Sequence, residues 1–557
     1  MKTLSKIPVL LLALLLSVSM LLAACSSNTG APSAAATTVA AEPSSAAATD
    51  TPASQPTTTT SDKAFNETGL PIVNTPTTLN ITTMRWGDMG DSFKKNTWLV
   101  NLEKETGVTI NWTAVSNSDW PEQRSILLAS GQLPDVFFGN QTITDADIAA
   151  NTALFVELSN LISKYMPNYQ QALTTVPAIK ATTTSPDGKI YSFGKILPAR
   201  PNTRNQVIIN KQWLDKVGMA APTTIDELEK VLIAFKDKDP NGNSQKDEIP
   251  LSFNGDIPID LLNPFGITDI NNTWMSITDG DPFFYPTSEN YKAAIKWVHK
   301  LWTDGVLDQE GFTQDYAKLT GKWTNDSAPI VGLSFQWTPD AVNGKWSSQF
   351  EAIAPLKGPD GKQYAGGDKN GVFSVMRNEA HITTQCKTPE VAARWIDQFY
   401  TNEASIQNFW GAIGTVITKN SDGTYALNNP PEGTSADAWY WDQSLRDFGP
   451  KFVDPNFNSN IKLDSKAGDG LKLELSKMAD PYVTTPFPDA IYTADETTEL
   501  STLTTDIGGY VLQQRAEWIT KGGIDEGWDA YVKKLGDMGL EKFIKIRMDA
   551  YARFNAK

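Results

Sequence analysis

Spaced by its apolar side chains, the chain divides into an apolar leader, a polar stretch, and nearly 500 residues in which two periodicities alternate. Ile7 to Leu22 is apolar apart from small residues, and Lys2 and Lys6 precede it. From Ser26 to Asp62 the residues are mostly Ser, Thr, Ala, Pro and Gly, with almost no large apolar side chain. Such a segment buries too little surface to offset the entropy of ordering, which predicts a flexible tether with a coil span of about 35 Å. Beyond it, Leu79 to Trp86 alternates as a strand and runs into a Gly-Asp turn. A helical stretch over 92–105, stopped by Gly107, and a second alternating run from Val108 to Trp112 follow. Strand, helix and strand at this spacing predict a βαβ unit and a parallel sheet. Pro121 suits the first turn of a helix carrying Ile126, Leu127 and Leu128, and Leu133 to Asn140 reads as a buried strand.

A polar, proline-bearing stretch from Arg200 to Asn205 has no periodicity and reads as a crossover. Val207 to Asn210 then reads as a strand and Lys211 to Val217 as a helix. Thr224 with Glu227 forms a capping box before a helix with Leu228, Val231, Leu232 and Phe235 on one face. Ser288 to Thr303 is an amphipathic helix with His299 on its polar face, read as a surface histidine. Ile330 to Leu333 is a strand that leaves Trp337 near its end, and Gly371 to Val375 is read as a strand returning to the first lobe. Pro389 to Tyr400 is helical with Val391, Trp395 and Phe399 inward. Phe409 to Gly414 and Ala438 to Trp441 are read as irregular loops presenting aromatics. The last hundred residues read as helices, with Trp528, Tyr531 and Leu535 on one packing face.

Composition narrows the class. Apolar residues make up 40% of the chain, with 17 Trp, 23 Phe and 15 Tyr, ample for two large lobes. Two cysteines and two histidines leave little room for a disulfide, a zinc centre or His-based catalysis. Cys386 reads as a small core residue. Without Lys2 and Lys6 the chain holds 46 basic residues against 64 acidic, a net of −18, which disfavours a nucleic-acid partner.

The basic start, apolar run and small residues before Cys25 form a secretory signal, and Leu22-Ala23-Ala24-Cys25 resembles the lipobox of bacterial lipoproteins. That resemblance implies removal of residues 1–24, diacylation of the Cys25 thiol, and a membrane partner reached through the lipid. The segments LASGQLPDVFFGN, SPDGKIYSF, NKQWLDKVGMAAPTTIDEL, KDPNGNSQKDEIPL and ITKGGIDEGWDAYVKKLGDMGLEKF occur in this order. Together they resemble the extracellular solute-binding proteins of bacterial carbohydrate ABC importers, in particular the large lipoproteins typical of Gram-positive bacilli. The resemblance implies an α/β fold of the two-lobed type II periplasmic-binding (Venus-flytrap) class, each lobe a central sheet flanked by helices, with a helical C-terminal region. It also implies a monomer at the outer face of the cell membrane, an oligosaccharide ligand, ABC permease partners and no catalysis. The expected organisation is signal 1–24, tether 25–62, first lobe 63–200 with a return over 366–420, second lobe 201–365, and shared helical region 421–557.

One loop carries metal-binding chemistry. Oxygen side chains alternate from Asp237 to Glu248 around Gly242, the pattern by which hard calcium ions are wrapped. Counted from Asp237 the loop matches twelve-residue EF-hand spacing. Counted from Asp239 it resembles the shorter calcium loop of polysaccharide-binding relatives, with Asp239, Asn241, Asn243, Asp247, Glu248 and the carbonyl of Gln245 as ligands. The second register is preferred, because Asp237 closes a helical run. For a sugar in the cleft, aromatic faces suit pyranose C–H patches and polar side chains suit the hydroxyls. Trp86, Trp337, Trp410 and Trp439 are the expected platforms, and Asp88, Asn140, Arg200 and Asp368 the expected hydroxyl partners. A secreted glycoside hydrolase would need two carboxylates facing across the scissile bond, which the sequence neither supplies nor refuses. A sugar sensor would share the binding fold.

Overall fold

The computed structural model describes residues 64–86, 92–139, 142–278, 280–339, 344–369, 374–432, 434 and 436–556. Strand β1 (Thr77–Arg85) is central to the first sheet, with Leu79, Ile81 and Met84 buried along it. It pairs in parallel with β2 (Val108–Ser116) on one side and β3 (Val136–Phe138) on the other, as the βαβ spacing predicts. Between β1 and β2, residues 92–95 form a separate 3-10 turn. Helix α1 (Thr97–Thr106) follows, capped by the Asn96 side chain. Helix α2 (Trp120–Ser130) starts at Pro121, but only Trp120 on it is buried and Ile126 is exposed. Helix α3 (Asp145–Ala150) opens with a reciprocal capping box at Thr144 and Asp147.

The second sheet is built on β4 (Gln206–Asn210). Helix α4 (Ile225–Asp237) feeds the acidic loop and then β5 (Ile249–Leu251). Thr224 caps α4 through the Glu227 N–H, while the Glu227 carboxylate accepts from Thr223 rather than Thr224. Helix α5 (Glu289–Thr303) precedes β6 (Val331–Gln336) and β7 (Phe350–Ile353). The sheet order is β5-β6-β4-β7, with β4 antiparallel to both β6 and β7. The chain rejoins the first sheet at β8 (Ala380–Ile382), antiparallel to β3. That return lies later than the expected strand at Gly371 to Val375. Of that stretch, Ser374 and Val375 are described and lie outside any strand. Asn378, with φ +63°, turns the chain into β8 instead.

Helix α6 (Asn402–Trp410) and α7 (Ala436–Gln443) stand where loops were expected. Thr401 caps α6, and Gly411 lies beyond it, so the glycines end the helix without preventing it. Helix α8 (Gly468–Ser476) leads to three long C-terminal helices, α9 (Ala494–Lys521), α10 (Ile524–Asp537) and α11 (Leu540–Asn555). Trp528, Tyr531 and Leu535 of α10 are buried as their spacing predicts. One core surrounds the first sheet and takes in Val391, Trp395, Phe399 and Cys386. A second joins the second sheet to α5 and the C-terminal helices, with Ile507, Val511 and Trp518 sharing it with Tyr291 and Ile295. His299 is half-buried rather than a surface residue, because α9 covers it: its Nδ1 sits 2.8 Å from the Ile519 carbonyl.

Three segments run side by side between the two sheets. Asp368 donates its N–H to the Asn202 carbonyl (2.8 Å), Ala365 to Tyr482 (2.9 Å) and Thr484 to Ala365 (3.2 Å). Gly367 permits this closeness, since a Cβ there would stand 2.0 Å from the Asn202 oxygen. Among the described residues, no helix is long and apolar enough to cross a membrane.

Candidate functional site

In sheets of this kind ligands gather outside the carboxyl ends of the strands. There, β1 ends in Arg85, whose guanidinium lies 4.7 Å over the Phe93 ring and donates to the Trp441 carbonyl (3.0 Å). With a second donation from Arg85 to the Ser444 carbonyl (3.4 Å), the end of α7 and the segment after it lie at the end of β1. Phe448 rests against Gly139 at the end of β3, where φ is +108° and a Cβ would meet the ring at 2.9 Å. Trp86, 37% exposed, has its ring 6.4 Å from Phe448.

The same segment supplies Arg446, buried and 4.1 Å over the Phe409 ring. Its Nη2 donates to both oxygens of Asp469, at 3.2 and 3.1 Å. Arg200, from the crossover, donates to Asp469 at 3.1 Å, and the Trp410 indole N–H does so at 2.8 Å. Burial would raise the Asp469 carboxyl, but Arg446 and Arg200 hold it far below the usual carboxylate range. A carboxylate with two cations and an indole N–H remains charged at any physiological pH.

Arg200 also reaches the second sheet. Its guanidinium is 4.5 Å from the Phe409 ring and 5.6 Å from that of Trp337, the half-buried residue just past β6. Lys472 of α8 places its amine 4.5 Å over the same Trp337 ring and donates to the Arg204 carbonyl at 3.0 Å. Burial pushes that amine down to about 7; Asp260 opposes the shift and Arg200 adds to it. A line of contacts therefore runs from the first sheet to the second through Phe448, Arg446, Asp469, Arg200 and Trp337.

Of the eight ligand residues expected from the sequence, Arg200 and Trp337 come together directly. Trp410 is a correction: it is fully buried at the end of α6, and its ring serves the core while its N–H holds Asp469. Trp439 lies on α7, half-buried in a small third core, 6.1 Å from Tyr440, which in turn lies under Arg446 at 5.4 Å. Trp86 stands at the far end of the line, and Asp368 stands on the segment paired with Asn202. Asp88, Asn140 and Cys25 lie outside the described residues. Sequence reasoning missed Arg446, Asp469 and Lys472. Asp469 meets its partners from 23, 59 and 269 positions away, and no local pattern encodes that.

The acidic loop between α4 and β5 is tightly wound, with φ of +47° at Asp239, +76° at Gly242 and +61° at Ser244. Asp239 accepts from the N–H groups of Gly242 (3.0 Å) and Ser244 (3.0 Å). Asp247 accepts from the amides of Asn241 (2.8 Å) and Asn243 (2.9 Å). One Glu248 oxygen is shielded from solvent with no hydrogen-bond partner. Burial, with Asp247 and Asp239 acting in the same direction, holds its carboxyl above the ordinary range. The oxygen-rich donor set and that orphaned oxygen fit a hard cation. Among the described residues, no three His, Cys, Asp or Glu side chains cluster closely enough to hold a metal by themselves. A cation here would need the Asn241 and Asn243 amide oxygens, and those amides would have to turn from Asp247.

Two sheet-centred lobes joined by adjacent crossing segments, with aromatics and paired charges between them, define the class of bilobal binding proteins. The model of the bacterial extracellular solute-binding protein family matches residues 86–406, and the chain belongs to that family. Its fold is the type II periplasmic-binding one, with a helical C-terminal region. The fructooligosaccharide ABC transporter substrate-binding protein FusA of Streptococcus pneumoniae is 32% identical over 479 residues, covering 82% of this chain and 87% of FusA. The structure of FusA with kestose has a TM-score of 0.75 at 30% identity, covering 86% of this chain and 99% of that one. An HMO-binding, ABC-transporter-associated solute-binding protein from Bifidobacterium longum infantis has a TM-score of 0.75 at 28% identity, covering 86% and 99%. These relatives are binding proteins rather than enzymes.

Proposed function

We propose that this chain is a lipid-anchored solute-binding protein that captures an oligosaccharide between its two lobes and delivers it to an ABC transporter permease. The observation that carries the reading is Trp337. It is an aromatic face at a strand end of one sheet, backed by Lys472 and Arg200, and tied through Asp469 to the segment over the other sheet. Such a face takes the C–H patch of a sugar ring, and nearby polar groups take its hydroxyls. Trp86 and Trp439 extend the aromatic lining in this proposal, and Asp88, Asn140, Arg200 and Asp368 remain its hydroxyl partners. The oligosaccharide ligands named for FusA and its Bifidobacterium relative support the ligand class. The protein has no catalytic step of its own and works as a monomer.

The lobes comprise residues 63–200 with 366–420, and 201–365, with 421–557 shared. The memberships of β1–β3 with β8, and of β4–β7, support those boundaries. Calcium is held by Asp239, Asn241, Asn243, Asp247, Glu248 and the Gln245 carbonyl, clipping α4 to β5 without taking part in chemistry. The register from Asp239 is favoured because the Asp237 side chain is 60% exposed and lies 3.9 Å from Lys236. An EF-hand mutant of FusA, solved with fructo-nystose at a TM-score of 0.75 to this chain, supports a metal loop in this group. Residues 1–24 are cleaved and Cys25 carries the lipid at the outer face of the cell membrane.

Titration calorimetry with kestose, nystose and milk oligosaccharides tests the reading. Wild type should bind one of these sugars, and Trp337→Ala should weaken it by about 1–2 kcal/mol, roughly five- to thirtyfold, with an unchanged melting temperature. Equal affinity of Trp337→Ala for the cognate sugar would remove Trp337 from the site. Absence of binding across the panel would overturn the ligand class.

A further inference from the structure

Away from the Trp337 cluster, a cavity of about 350 Å³ opens where the first lobe meets the start of α9. One wall is made by Ile148 and Ala149 of α3, with Tyr191 and Ser192 beside them; the facing wall is Ile491, Tyr492 and Ala494. The first wall belongs to the core of the first sheet, whereas α9 is anchored in the second core through Leu500, Ile507 and Val511. An occupant would therefore touch two bodies of the molecule at once.

The polar groups around this cavity are organised into ion pairs and hydrogen bonds. Arg377, buried, donates to both oxygens of Asp145 (Nε, 3.1 and 2.9 Å) and to the Asp489 carbonyl (Nη1, 2.6 Å). It thereby ties α3 to the segment leading into α9 and offsets the Asp145 charge. Asn378 donates to Asp145 at 2.8 Å, while its own carbonyl oxygen is shielded from solvent and has no hydrogen-bond partner. Asp187, the other carboxylate of the lining, has Lys189 4.0 Å away and accepts from the Tyr191 hydroxyl at 3.3 Å. The rest of the lining is aliphatic carbon, two tyrosine rings and hydroxyls.

We propose that this cavity is a second small-molecule site, separate from the cleft, for a neutral, hydroxyl-bearing ring the size of one sugar residue. Its volume falls within the roughly 300–1,000 Å³ typical of ligand pockets. Arg377 is shared between Asp145 and the Asp489 carboxylate (3.1 Å), so three carboxylates face two cations here and an anionic occupant is disfavoured. The hydroxyl-bearing side chains of Thr152, Ser185 and Tyr191 on the lining can exchange hydrogen bonds with the hydroxyls of a ring, and the aliphatic and tyrosine walls suit its C–H face. A full oligosaccharide is too long for this space.

Saturation-transfer NMR on the mature chain, with D-glucose, D-fructose and myo-inositol at millimolar concentration, tests the proposal. The variants are Ala149→Phe, which fills the cavity, and Trp337→Ala, which disturbs the cleft. At least one probe should give transfer with wild type and with Trp337→Ala. Ala149→Phe should weaken it about tenfold or more while keeping its affinity for the cognate oligosaccharide. Should Ala149→Phe fail to fold, Ala494→Trp, at an exposed position on the cavity rim, takes its place. No transfer from any probe with wild type would overturn the proposal. So would full transfer in a folded, cavity-filled variant, or loss of transfer in Trp337→Ala, which would assign the ring to the cleft.

Discussion

Asp469 accounts for more of the site's geometry than any aromatic that the sequence suggested. It accepts from Arg446, Arg200 and Trp410, so its loss would leave two buried guanidinium groups without their carboxylate. Asp469→Asn should destabilise the fold by about 3–5 kcal/mol in chemical denaturation, a cost set by the uncompensated charges. Its carboxyl is held below the unfolded value, so its stabilisation is complete above about pH 4 and disappears as pH falls through the folded value. Asp469→Asn should therefore remove part of the acid sensitivity of wild type. Lys472 gives the same sign of pH dependence in a higher window. Its amine is pushed down to about 7, so between there and the ordinary lysine range the unfolded chain binds a proton that the folded chain does not. Stability gains from this group as pH rises through that window. Melting temperatures at pH 7 and 9.5 should converge in Lys472→Met relative to wild type. Residues were legible where their position told their exposure: Trp337 follows an apolar strand, and Arg200 lies in an aperiodic crossover. Trp410 was misplaced because Gly411 and Gly414 imply a loop, yet both lie past the helix that buries it.

Elements with strong periodicity could be read closely from the sequence. Thr224 to Phe235 and Ser288 to Thr303 take the expected form, because burial of one side and a capping side chain are encoded locally, and Leu79 to Arg85 is the expected strand, although from Ile81 onward it is buried on both faces. The return strand could not be read in this way. Only three residues of β8 pair with β3, and that pairing depends on a partner far back in the chain. Helix α2 shows the reverse case: its apolar residues predict a packed face, yet Ile126 is 52% exposed. The acidic loop carries the element-scale prediction. A metal bound only by the folded state stabilises it by about 2.7 kcal/mol at a hundredfold excess over Kd. EDTA should lower the melting temperature of wild type, and calcium should restore it. The double variant Asp247→Ala, Glu248→Ala should melt at one temperature with or without chelator. A wild-type melt indifferent to EDTA, with no calcium by elemental analysis, would exclude metal from the loop.

For the whole molecule, the two-lobed fold was legible because whole segments in order resemble one family, and the family model and relatives bear that out. The leader makes a prediction at this scale. Wild type should incorporate labelled palmitate and partition into detergent, while Cys25→Ala should do neither; equal labelling would remove the anchor. The pairing of β8 with β3 has a further consequence, for how the chain is made. Phe137 and Phe138 of β3 wait for a neighbour about 240 residues downstream, and the cover from Phe448 comes later still. At about 5–20 residues per second the ribosome takes roughly 12–50 s to supply that edge, during which an apolar strand has an open side. The second core likewise lacks α9 and α10 until the last part of the chain. Neither lobe is therefore a folding unit by itself. The first core is complete once Phe452 has emerged but the second only after the C-terminal helices, so truncation before them should leave the second core open and yield aggregate rather than a smaller folded domain.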